Sequence, residues 1–140
     1  MKRLTFAASI VFVCLFLTAC KENYLDINPH DITRVVIRDS YGSITTKDRT
    51  DIKALLRAIN KAVPDPQFSD TPKITTIQLY LNNRLAYTLV SAKSLFNLEE
   101  TQYCEKTGAF DDAVSAIKNR RRAKAMRSKL DQLQQTIEKI

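Results

Sequence analysis

One amphipathic helix pattern stands between two pairs of strand patterns, and this order constrains the fold of the chain more than any other feature. Asp48 or Thr50 can cap the start of the helix, and Pro64 follows its end. The strand patterns each have one face to bury, and the helix is their natural cover. Within residues 51–63, apolar side chains recur at the spacing of one helix face at Ile52, Leu55, Leu56, Ile59, Ala62 and Val63.

The strand patterns predict two hairpins with short turns. Tyr41-Gly42 provides the first turn and Asn82-Asn83-Arg84 the second. The paired segments are residues 32–40 with 43–47, and 74–81 with 85–91. We therefore expect an α+β domain over residues 32–110, with a small, mostly antiparallel sheet in β-β-α-β-β order and one packed helix.

Residues 111–140 contain no glycine or proline and are dominated by helix-forming residues, which predicts one long C-terminal helix. This helix also carries an apolar seam, for which two interpretations remain open. The seam can dock on the parent sheet, or it can associate with a second copy or a partner helix. Its heptad series are Ala116, Ala123, Leu130 and Ile137, and Met126, Leu133 and Ile140.

The first twenty residues predict an export signal. Met1-Lys2-Arg3 is positively charged, and residues 4–19 are free of charged side chains. As a helix, residues 4–19 would reach roughly 24 Å, which is less than the ~30 Å hydrocarbon core of a bilayer. Polar residues follow at once, so a cleaved signal is favoured over a permanent transmembrane helix.

Leu17-Thr18-Ala19-Cys20 resembles the lipobox of bacterial lipoprotein precursors. The resemblance implies cleavage between Ala19 and Cys20, with a diacylglyceryl group on the Cys20 thiol and a fatty acid such as palmitate on the new amino terminus. It covers residues 1–20 only; an ordinary signal peptide that happens to hold a cysteine is the alternative. We expect residues 20–31 to form a lipid-anchored tether, with a reach of up to about 40 Å.

The resemblance also implies a location. In enterobacterial lipoproteins an aspartate after the lipidated cysteine favours retention in the inner membrane, and this chain has Lys21 there. The expected location is therefore the outer membrane of a Gram-negative host, with the domain facing the periplasm.

The remaining cysteine and histidine supply no catalytic pair. Cys14 would leave with the signal and Cys20 would be lipidated, so Cys104 would be a lone thiol, either half-buried or available for an intermolecular disulfide. His30 is the only histidine and lies outside any motif. We expect a protein without enzymatic activity, cofactor or metal. The paired acids, which are typical of helix caps and solvated loops, are Glu99-Glu100, Asp111-Asp112, and Asp65 with Asp70.

A dense basic run within the C-terminal helix is the second candidate functional feature. An exported protein is separated from the nucleic acids of the cytoplasm, and the run has no interleaved aromatic side chains for base stacking. Anionic phospholipid, lipopolysaccharide or cell-wall polymer remain as partners, beside the interpretation of a merely solvated helix face. The run consists of Lys118, Arg120, Arg121, Arg122, Lys124, Arg127 and Lys129.

These observations predict a lipid-anchored, non-enzymatic binding module of the bacterial cell envelope, with its basic helix facing an anionic surface or partner. The formal net charge of +7 supports an anionic partner, and +5 remains once Lys2 and Arg3 are removed with the signal. One alternative is an inhibitor or exclusion factor acting on an incoming enzyme or on mobile-element machinery, with residues 64–73 as its contact loop. The other is an envelope hydrolase.

Overall fold

The computed structural model describes residues 25–65 and 72–140, so the signal segment, Ala19 and Cys20 lie outside the described residues. This part of the chain forms seven strands and two helices. In chain order they are β1 (Arg34–Asp39), β2 (Gly42–Thr46), α1 (Arg49–Asn60), β3 (Val63–Pro64), β4 (Thr75–Leu81), β5 (Arg84–Ala92), β6 (Leu95–Leu98), β7 (Thr101–Cys104) and α2 (Ala109–Glu138).

The strands form one antiparallel sheet in the order β2-β1-β4-β5-β6-β7-β3. The two predicted hairpins are β1–β2 and β4–β5, and pairing of β1 with β4 joins them. The left-handed backbone of Asn82, with φ 55°, forms the second turn. The expected α+β class, the antiparallel sheet and the long C-terminal helix are confirmed.

The sheet is larger than the four strands that the sequence predicts. The additional strands are only two to four residues long, which is too short for an alternating pattern to be recognised. The β6–β7 turn contains Glu99 at φ 55° where glycine or asparagine would be the usual signal. Val63, assigned from the sequence to the helix face, instead pairs with Cys104 at the sheet edge.

The core lies between α1 and one face of the sheet. Val35 pairs with Leu79 and Ile37 pairs with Ile77, so these four buried side chains point to the same face. Asp48 caps α1 by accepting hydrogen bonds from the backbone N–H groups of Thr50 at 2.8 Å and Asp51 at 3.2 Å. The predicted apolar stripe of α1 is buried at Ile52, Leu55, Leu56 and Ile59.

The two helices run antiparallel across this face. The end of α1 leads to Val63, whose partner Cys104 lies just before the start of α2, while Asp51 in the first turn of α1 bonds to Arg120. From Phe110 to Arg120, α2 rises about 15 Å, which nearly matches the length of α1. Beyond Arg120, α2 continues past the start of α1.

The folded body begins earlier than the sequence predicts. Residues 20–31 were expected to form a tether, but Leu25 and Ile27 pack against the hydrophobic core. The Asn60 side chain fixes this segment: its carbonyl accepts from the Ile27 N–H, and its amide donates to the Ile27 carbonyl, both at 2.9 Å. The tether expected over residues 20–31 is therefore too long, because Leu25 and Ile27 within it belong to the folded body. From Cys20 to Leu25 the chain can span no more than about 17 Å.

Candidate interaction surface on the C-terminal helix

The start of α2 is built around a buried carboxylate. Glu105 accepts hydrogen bonds from the backbone N–H of Phe110 at 3.1 Å and of Thr107 at 3.0 Å, and also bonds to the Thr107 hydroxyl. Gly108 lies between them with φ 80°, a left-handed conformation that disfavours other residues. Glu105 thus satisfies N–H groups that a helix start leaves unpaired, and it fixes where α2 departs from the sheet.

The two carboxylates near this helix start have opposite pKa shifts. Burial opposes ionisation of Glu105, but hydrogen bonds from the Thr107 hydroxyl and nearby backbone N–H groups outweigh it, so its pKa is lowered. Burial raises the pKa of Asp111, and the negative charges of Asp112 and Glu105 add to the rise. Glu105 consequently acts as a structural anion.

The first three turns of α2 belong to the core. Phe110 stacks on Phe96 with ring centroids 5.0 Å apart, and both rings are buried. Ala113, Val114 and Ile117 continue the buried face. The boundary expected between residues 110 and 111 therefore cuts through one continuous packing unit.

Two members of the basic run are used to hold α2 on the body. The Lys118 Nζ lies 2.6 Å from the Asp39 Oδ2, with both side chains largely buried. The Lys118 ammonium and the Tyr41 backbone N–H lower the pKa of Asp39. Arg120 forms an ion pair with the buried Asp51, whose other oxygen accepts a 3.2 Å hydrogen bond from the Thr46 hydroxyl.

This second ion pair corrects one sequence-based interpretation. Arg120 belongs to the basic run, whose side chains were expected to face solvent or an anionic surface. Its side chain is 57% exposed. Its guanidinium nevertheless neutralises a carboxylate whose side chain is only 7% exposed. The sequence could not reveal this pair, because Asp51 resembles an ordinary first-turn acid of α1.

The other five cations form no hydrogen bond or ion pair within the described residues. Arg121 is half-buried at a polar cleft of about 190 Å³ whose other lining residues are Thr46, Asp48, Asp51, Arg120 and Lys124. Arg122, Lys124, Arg127 and Lys129 are exposed. The charge of Arg122 adds a small contribution to the lowered pKa of Asp39, after those of the Lys118 and Tyr41 contacts. These five side chains are available to an external anion.

The C-terminal part of α2 projects from the body. Every residue from 122 to 140 is exposed, and residues 121–138 extend about 27 Å at the helical rise. We call residues 121–140 the projecting segment. Docking of its apolar seam on the parent sheet, one of the two sequence-based interpretations, is therefore wrong. Met126, Leu130, Leu133 and Ile137 are 59% to 69% exposed, and Ile140 is fully exposed.

The other sequence-based candidates lie elsewhere. Cys104 is a half-buried free thiol on the sheet face away from the helices, since its neighbour Tyr103 points toward Phe96. Glu99 and Glu100 lie exposed in the β6–β7 turn, and His30 is exposed on the segment before β1. Asp70 and most of the loop 64–73 lie outside the described residues.

Within residues 25–65 and 72–140, no helix is long and apolar enough to cross a membrane, and no three acidic, histidine or cysteine side chains cluster as metal ligands would. Comparison with protein-family models, curated proteins and solved structures found no match.

Proposed function

We propose that this protein is a lipid-anchored, non-enzymatic interaction module of the bacterial cell envelope, and that the projecting segment is its binding element. The observation that carries the proposal is the geometry of α2, which is held firmly at one end and exposed on all sides at the other. A helix that serves only to complete a core does not have to extend about 27 Å beyond that core. Exposed apolar and cationic side chains on such a rod are typical of a contact surface.

The cationic positions favour an anionic partner. Five of them form no ion pair among the described residues, so they can still pair with an external anion: Arg121, Arg122, Lys124, Arg127 and Lys129. Near an anionic lipid surface each such side chain contributes about 1 kcal/mol, and the contribution falls off within a Debye length. Anionic phospholipid, lipopolysaccharide and cell-wall polymer all present the required phosphate or carboxylate groups.

The anchor rests on the lipobox resemblance and has its own test. The proposed Cys20 lipid would hold the body close to the membrane, because the stretch from Cys20 to Leu25 spans no more than about 17 Å. Labelled palmitate should enter the wild-type chain and not Cys20→Ser, and Cys20→Ser should leave the membrane fraction. Unchanged processing and membrane association of Cys20→Ser would remove the anchor from the proposal.

The anionic surface is tested with residues 21–140 and vesicles that contain phosphatidylglycerol. Replacing Arg121, Arg122, Lys124 and Arg127 by Gln should weaken vesicle binding about tenfold or more at low salt, while the unfolding temperature stays unchanged. Arg120 is left intact because it holds Asp51. Raising the salt from 0.1 M to 1 M should reproduce the effect, since the Debye length falls from about 10 Å to about 3 Å.

A matched control separates position from net charge. Gln at Lys47, Arg57, Lys61 and Lys106 removes the same charge from exposed sites on the folded body. If this control loses as much binding as the helix variant, the projecting segment is not the anionic-surface site. Capture of one protein partner through residues 64–73 would instead favour the inhibitor or exclusion alternative, and hydrolytic activity lost on replacing an acid pair would favour the hydrolase.

A further inference from the structure

The projecting segment carries an apolar stripe that nothing in the described residues covers. Successive members are separated by four, three, four and three residues from Met126 to Ile140, which is the spacing of a coiled-coil seam. We propose that this seam pairs antiparallel with the same segment of a second copy of the chain. The inference rests on the proposed function and deepens it, because it names the partner of the apolar side of the same binding element.

An antiparallel alignment matches every apolar position with another. With the two helices centred between Asp131 and Gln132, Leu130 faces Leu133 of the other copy, and Met126 faces Ile137. Ala123 then faces Ile140, so a small side chain meets a large one at the end nearest each body. Twofold symmetry forms each contact twice, as an isologous interface requires.

Charge complementarity supports the same orientation. Along one flank of the seam the cations Lys124 and Arg127 lie in the first half of the projecting segment, while the acids Asp131 and Glu138 lie in the second half. Reversal of one helix brings the two halves together, and Arg127 of one copy then lies beside Gln134, between Asp131 and Glu138 of the other. Neither acid has an ion-pair partner within the described part of its own chain.

A parallel pair would also match apolar positions with each other, but it would lose the charge complementarity. The residue pairs that flank a parallel seam are five positions apart, which places Arg122 against Arg127 of the other copy, twice per dimer. Such like-charge contacts are unfavourable. A parallel pair would also bring two folded bodies to the same end of the helices, whereas the antiparallel pair separates them by about the 27 Å length of the projecting segment.

The pairing is expected to be weak in dilute solution, because the seam covers fewer than three heptads. Anchoring both copies in one membrane would raise their effective concentration and favour association. The natural setting for the test is therefore the full chain in bacterial membranes.

Disulfide trapping distinguishes the two orientations in the full chain. All variants carry Cys104→Ser so that the native thiol cannot contribute, and one copy bears a larger tag. Co-expression of Met126→Cys with Ile137→Cys, followed by mild oxidation, should give a cross-linked species of mixed size. Met126→Cys expressed alone should give little, because Met126 faces Ile137 and not itself in the antiparallel pair.

Two results would overturn the inference. Efficient cross-linking of Met126→Cys alone would show parallel pairing, and no cross-link in the mixed sample would show that the seam is not covered by a second copy. The variants should fold in either case, because Met126 and Ile137 are exposed and Cys104, which is only half-buried, is replaced by a side chain of similar size. Membrane location and vesicle binding are measured on the same samples; if they persist without cross-links, the self-pairing fails while the proposed function stands.

Charge reversal tests the register independently. Asp131→Lys with Glu138→Lys should reduce the mixed cross-link about tenfold, because each lysine would lie near the other copy's Lys124 or Arg127. Asp26→Lys with Glu100→Lys is the matched control: it reverses two exposed acids on the folded body, away from the seam, and so changes the net charge as much as the test variant does. Equal loss in both variants would mean that net charge, and not the antiparallel register, controls the cross-link.

Discussion

The two parts of α2 have the same secondary structure and opposite surroundings. Residues 109–120 bury Phe110, Val114 and Ile117 and form ion pairs through Lys118 and Arg120. Residues 122–140 are exposed throughout. The basic run therefore has two structural roles: its first two cations hold the helix on the body, and the remaining five form no ion pair among the described residues.

The largest difference between the two parts should appear on removing an apolar side chain. Ile117→Ala should lower the free energy of unfolding by about 2–4 kcal/mol, because it leaves a cavity beside buried Phe110 and Val114. Leu130→Ala removes a side chain of similar size from an exposed site and should change stability by less than about 0.5 kcal/mol. Urea unfolding of residues 21–140 measures both, and equal losses would show that the projecting segment is packed.

The ion pair at Asp51 should give the next largest effect. Arg120→Gln leaves Asp51 buried without its counter-charge, and we expect a loss of about 1–2 kcal/mol, reduced from a fully buried case because Arg120 is partly exposed. Arg127→Gln is the control from the projecting segment and should be close to neutral. Urea unfolding measures both variants. If Arg120→Gln leaves the free energy of unfolding unchanged, the Arg120 side chain contributes no more to stability than that of Arg127.

The Lys118–Asp39 pair predicts a pH dependence. The hydrogen bond from Lys118 lowers the pKa of Asp39 in the folded protein below its ordinary value of 3.8. The stabilisation from this pair is therefore fully present above about pH 3.8 and is lost as the pH falls through the lowered pKa. Lys118→Met should therefore cost about 1 kcal/mol at pH 7 and progressively less below pH 4. Unfolding curves of both proteins from pH 7 to pH 2.5 check this, and a difference that stays constant would contradict it.

The smallest expected effect is that of deleting residues 123–140, which are most of the projecting segment. Truncation after Arg122 removes only exposed side chains, of which Lys124 borders the polar cleft on the body, so the free energy of unfolding in dilute solution should stay within about 0.5 kcal/mol of the full-length value. The helical circular-dichroism signal should fall because residues 123–138 are helical. A large drop in the free energy of unfolding would place part of this segment against the body.

The sequence predicted both main hairpins and the apolar stripe of α1, because each depends on a local period. It missed β3, β6 and β7, whose short segments become strands only when a neighbouring strand supplies the hydrogen bonds. Leu25 and Ile27 alternate with polar residues, but two apolar positions beside a proline are too few to predict a packed segment. Glu105 gave no recognisable signal, since its role depends on the left-handed turn at Gly108.

Helix propensity and apolar spacing are properties of neighbouring residues, so the sequence predicted the helix over residues 111–140 and the apolar, acidic and basic positions along it. The point at which that helix leaves the body depends on contacts between elements that are distant in the chain. Asp39 and Asp51 belong to elements far from α2 in the chain, and only the folded sheet brings them to Lys118 and Arg120. Beyond Arg121 none of the described residues covers the helix, so one continuous helix is packed against the body in its first part and exposed in its second.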